Sequence, residues 1–185
     1  MSQELWKHIY FERATRQERL ASANWVMSHP ETIPELIKWC FVVKDPRATK
    51  AAYVLEMIAV IDSDVVQPQL GRLISGLDTP IAPPTARAIA HVLEILILKY
   101  RPNEASKEIL NQEQNNRLLE ISFDWLLNDL QTSTKARAMT IIYEIGKHSS
   151  WAHQALKVYL EGHIMTGSPG FQARGKTLLR HLRKP

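Results

Sequence analysis

At 185 residues, 45% hydrophobic and 23% charged, the chain is long enough for one globular domain or one short repeat array whose core needs no disulfide or metal. Its single cysteine, Cys40, excludes an intrachain disulfide and a cysteine-ligated zinc, and sets the expectation of a reducing, cytoplasmic setting. The net charge of +4 is uneven, because residues 171–185 hold Arg174, Lys176, Arg180, Arg183 and Lys184 with no acid, a local +5 that leaves −1 for residues 1–170.

The elements read as helices from end to end. Glycine is scarce, at 7 residues, and no long stretch alternates apolar and β-branched residues. Prolines mark helix starts, where a missing N–H costs nothing. Residues 1–30 mix Trp6, Lys7, Glu12, Arg13 and Glu18 and do not read as a secretory signal. They predict helices over 3–12 and 14–28, with Trp6 the expected exposed anchor of an end cap. A helix over 31–43 contains "LIKWCFVV", where Cys40 is expected as a buried thiol. Helices over 47–61, 65–77 and 84–99 follow, and the last holds "VLEILIL", the longest strongly apolar run and too short to cross a membrane. The remaining helices are expected over 105–128, 134–147, 150–165 and 170–183.

Four of these helices share a pattern. "ATKAAYVLEMI" from 48, "ARAIAHVLEIL" from 86, "ARAMTIIYEIG" from 136 and "ARGKTLLRHLR" from 173 each open with alanine. Three carry arginine second (Arg87, Arg137, Arg174), and all have a small fifth residue: Ala52, Ala90, Thr140 or Thr177. The seventh is aliphatic throughout, and glutamate recurs ninth as Glu56, Glu94 and Glu144. Positions one and five lie one above the other on a helix face, so small residues there admit a neighbouring backbone. The glutamates are expected about 10 Å apart and paired with arginines of neighbouring repeats. Between these helices runs a second series, "IPELIKWCFV", "VQPQLGRLISGL", "RLLEISFDWLLNDL" and "HQALKVYLEGHI". Two helices per unit cannot bury their faces alone, and stacked units can. One step is 50 residues long, with its surplus in "RPNEASKEILNQEQNN".

"DPRATKAAYVL" and the three Ala-Arg-x-x-small segments resemble the first helix of HEAT repeats, over roughly residues 30–183. The resemblance implies an all-α solenoid of about four to five antiparallel helical hairpins, read here as a single domain over 1–185. It also implies a non-catalytic scaffold that binds another protein. The basic end adds an alternative, nucleic-acid binding similar to that of HEAT-like DNA alkylation-repair proteins. In that case Arg174, Lys176, Arg180, Arg183 and Lys184 would meet the anionic partner. "FDWLLND", "GKHSSWAH" and "FQARGKTLL" resemble short all-helical proteins of Bacteroidetes-type bacteria described as adenylosuccinate lyases, which implies a link to purine biosynthesis. The lyases' flexible loop, Ser-Ser-x-Met-Pro-x-Lys-x-Asn, has only "GSPGFQARGK" as its nearest counterpart. That segment lacks the Met-Pro and the asparagine, so no catalytic residue carries over.

One motif invites a different chemistry. "GFQARGKT", 170–177, fits the phosphate-loop pattern at every position. Yet the text before it, "ALKVYLEGHIM", reads as helix rather than strand, and the repeat register already places Ala173 and Thr177 toward the stack. The seven histidines make no His-Glu-x-x-His, and no metal or other cofactor is expected.

Overall fold

Helix formation follows the proline and capping signals closely. The computed structural model describes residues 1–100, 109–128 and 130–183, with His148 described in its backbone only. It contains ten α-helices and no strand among the described residues. They are α1 (Gln3–Ile9), α2 (Arg16–Ser28), α3 (Ile33–Cys40), α4 (Pro46–Ile61), α5 (Leu70–Gly76), α6 (Pro83–Lys99), α7 (Gln112–Leu127), α8 (Thr132–Ile145), α9 (Ala152–His163) and α10 (Pro169–Leu182). No helix among the described residues is long and apolar enough to cross a membrane.

Side-chain caps explain several boundaries. Thr15 and Glu18 form a capping box at the start of α2, and Asn111 and Gln114 form another at the start of α7. The second box corrects the expectation of a helix from 105. Residues 109–111 are not helical, Asn111 starts α7 from outside it, and 105–108 lie outside the described residues. Asp45 caps α4 with Pro46 in its first turn. The helices expected over 31–43 and 65–77 are shorter. Their first turns are 3₁₀, over Pro30–Thr32 and over Ser63–Val65 and Gln67–Gln69, which lets proline enter without an i−4 bond.

Two compact units divide the chain, Met1–Leu96 and Ile97–Pro185. In the first, α4 is the centre, packed by α1, α2 and α3, with α5 on α3. Ala48, Ala51, Ala52 and Ala59 are buried along α4, so its neighbours approach closely. α6 joins α4 through Thr49 and Thr85, whose hydroxyls are 3.0 Å apart, and through the charged cluster described below. In the second unit α8 is the centre, packed by α7, α9 and α10. Leu118, Trp125, Met139, Ile142, Leu156, Leu160 and Leu179 are among its buried residues. The Tyr159 hydroxyl donates to the Leu126 carbonyl at 2.9 Å and ties α9 to α7.

α10 departs from the expected register. Ala173 is exposed and Thr177 half-exposed, while Phe171, Gly175, Leu178 and Leu179 are buried. α4 is flanked by α2 and α3 as well as by α6, so both its leucine side and its alanine side are covered. α10 has α8 and α9 as its principal neighbours among the described residues, so one face is covered. Gly175, not Ala173, is the close-approach position: a β-carbon there would lie 3.2 Å from Leu160 and from Ile164.

Candidate functional site

Of the basic residues expected at the end of the chain, Lys176, Arg180 and Arg183 come together at one surface recess, while Arg174 turns to α8. The Arg174 Nη1 donates to the Thr140 hydroxyl of α8 at 2.5 Å. Arg183 pairs with Glu161 of α9 at 2.9 Å. Lys176 and Arg180 are exposed, and Arg180 folds back onto the Lys176 carbonyl and the Thr177 hydroxyl. With Leu179 and Arg183 they line a shallow surface recess. Lys184 lies outside the described residues.

A second basic cluster was not visible in the charge count. It centres on Glu56 of α4, which is 6% exposed. Arg87 of α6 approaches the carboxylate end-on, Nη1 to Oε1 at 2.9 Å and Nη2 to Oε2 at 2.7 Å. The His91 Nδ1 donates to Oε1 at 2.8 Å, and Arg19 of α2 brings Nη1 to 3.8 Å from Oε2. The guanidinium groups of Arg19 and Arg87 lie 5.8 and 5.2 Å from the ring centre of Tyr53, one turn before Glu56. Burial pushes the Glu56 carboxyl up, but the hydrogen bonds and charges of His91 and Arg87 outweigh it and hold its pKa at about 2. Helix spacing puts Tyr53 and Glu56 on adjoining faces of α4, and Arg87 and His91 one turn apart on α6. The repeat pattern did place Glu56 opposite a repeat arginine. It gave no signal for Arg19, which lies outside the repeats. Of the other recurring glutamates, Glu144 bonds Lys147 at 2.8 Å and Glu94 is buried.

The remaining candidates resolve individually. Cys40 is fully buried, its thiol donates to the Leu36 carbonyl, and burial pushes its pKa far up, so it is no nucleophile. His8 and His29 stack on Trp25 at 4.0 and 4.3 Å, His153 bonds the Tyr143 carbonyl, and His163 bonds the Tyr159 carbonyl. Among the described residues no three His, Cys, Asp or Glu side chains form a metal-holding group. Trp6 is half-buried with Arg47 over its ring, which corrects its reading as the exposed anchor. Trp151 is the exposed tryptophan, at 50%. A polar cleft of about 460 Å³ is lined in part by Asn111, Asn115, Asn116, Glu144, Lys147 and Trp151, where the surplus polar stretch enters α7.

"GFQARGKT" is the first part of α10. Ser168 caps the helix, Pro169 and Gly170 are already helical, and the Gln172 N–H bonds back to the Ser168 carbonyl at 2.9 Å. The helix thus begins at Pro169, one residue before the expected start at 170. From Gln172 onward, the N–H groups that a phosphate loop would offer are spent inside the helix. The same segment, the counterpart of the lyase loop, is likewise turn and helix. No known protein family, curated protein or solved structure matches this chain.

Proposed function

We propose that the chain is a non-catalytic binding module of HEAT-like helical hairpins that docks another protein through the outer face of α9. The observation that carries this is a run of exposed apolar residues. Trp151, Val158 and Met165 are 50%, 59% and 77% exposed; Val158 lies on α9, Trp151 caps its start and Met165 follows its end. Trp151 packs on Phe123 of α7 at 5.2 Å, and Leu127, one turn further along α7, is 64% exposed. Exposed apolar groups around a tryptophan are the composition of a protein-docking face.

The hairpin reading is supported inside each unit by one recurring contact. The second-place arginine of a repeat helix crosses to the preceding repeat helix, as Arg87 of α6 does to Glu56 of α4 and Arg174 of α10 to Thr140 of α8. Stacked hairpins would make such contacts in series.

Affinity capture from the native cell lysate, with mass spectrometry, tests the function. A protein enriched by the wild type and lost with Trp151→Ala/Val158→Asp, at unchanged helix content, is the expected outcome. Equal recovery by both proteins would remove α9 as the docking face. A second reading, nucleic-acid binding, has the exposed Lys176 and Arg180 in its favour. It requires affinity that falls steeply with salt, and undetectable binding to DNA at low salt would end it.

A further inference from the structure

We propose that the face where α2, α4 and α6 meet binds a phosphomonoester group, with Arg19 and Arg87 as its donors. The inference uses residues of the first unit alone and does not depend on the docking face of α9.

The cluster carries more positive than negative charge. Two guanidinium groups face one carboxylate, so it is +1 before His91 is considered. Much of its donor capacity is also unspent. A guanidinium has five N–H groups; the end-on pair with Glu56 uses two of those on Arg87, and the Tyr53 hydroxyl also interacts with it. The Arg19 Nε points to the Thr15 carbonyl at 3.4 Å. Its Nη1 is an ion-pair distance from Glu56, 3.8 Å, and is too far for a hydrogen bond. Both terminal nitrogens of Arg19 therefore keep donors for an added ligand.

The donors are held in place before any ligand arrives. Glu56 fixes Arg87, His91 fixes Glu56, and the Tyr53 ring lies beside both guanidinium groups. A cluster ordered in advance loses less entropy on binding. The Arg19 and Arg87 side chains are 24% and 23% exposed, reachable from solvent yet partly shielded from it, which strengthens their attraction for an anion.

The chemistry of the ligand follows from what Glu56 already occupies. A planar carboxylate takes the end-on slot of Arg87. The free donors come from two guanidinium groups on different helices, which suits a tetrahedral oxyanion with several acceptor oxygens. A phosphomonoester offers three terminal acceptor oxygens to donors that come from two helices, whereas a phosphodiester offers two.

The test follows the side-chain Nε–Hε signals of Arg19 and Arg87 by NMR as inorganic phosphate or glycerol 3-phosphate is added, with chloride matched for ionic strength. Saturable shifts with both phosphates are expected, at a dissociation constant of about 1 mM or tighter. Arg19→Ala should weaken binding by about tenfold while keeping the helix content, and Arg19→Lys should recover part of it. Shifts that track ionic strength alone, or equal affinities for wild type and Arg19→Ala, would overturn the proposal. So would binding of inorganic phosphate without the ester, or of duplex DNA at the same signals without either phosphate.

Discussion

Glu56 shows how one residue couples stability to pH. Its folded pKa of about 2 lies below its ordinary value of 4.5. A depressed carboxylate contributes stability that is complete above the unfolded value and is lost as pH falls through the folded one. The difference corresponds to about 3 kcal/mol. Unfolding followed by circular dichroism should therefore show stability declining between about pH 4.5 and pH 2. Glu56→Gln should cost about 2–3 kcal/mol at neutral pH and flatten that decline. A variant with the wild-type pH slope would sink this account of the cluster. Thr134 predicts the opposite sign. Its hydroxyl is buried without a hydrogen-bond partner among the described residues. Thr134→Val keeps the shape and removes the unsatisfied group, so denaturant unfolding should show stability unchanged or raised by about 1 kcal/mol.

At the scale of elements, close approaches decide what a helix tolerates. A β-carbon on Gly76, at the end of α5, would fall 2.3 Å from the ring of Phe41, the residue that ends α3. Gly76→Ala should cost about 1–3 kcal/mol, measured by chemical denaturation, because the ring has to move. Thr15→Ala removes the capping box of α2 and should cost about 1 kcal/mol in the same measurement. The elements themselves were readable because apolar spacing and proline positions are local signals. Ala48, Ala52 and Val54 on α4 are buried where the pattern put them. α10 was misread for a reason that is not local. The same Ala-x-x-x-small text serves a helix covered on two sides in α4 and on one side in α10. Ala173 and Thr177 therefore keep the pattern and lose the burial.

For the molecule as a whole, charge totals proved a poor guide to charged sites. Residues 1–170 sum to −1, yet Arg19, Arg87 and His91 converge there on a single buried carboxylate. Of the local +5 at the end of the chain, Arg183 is instead paired with Glu161, and Arg174 is tied to the Thr140 hydroxyl. Convergence of residues from three helices is a tertiary fact, and composition carries no trace of it. The exposed line of Trp151, Val158 and Met165 was hidden for a related reason. Its seven-residue spacing looks like core until burial distinguishes it from Leu156 and Leu160 of α9. Hydrogen exchange of the protein, alone and with the partner recovered by affinity capture, tests the docking face most directly. The account predicts slowed exchange over residues 151–165 and the end of α7. Protection confined to other helices, with α9 exchanging as in the free protein, would contradict it.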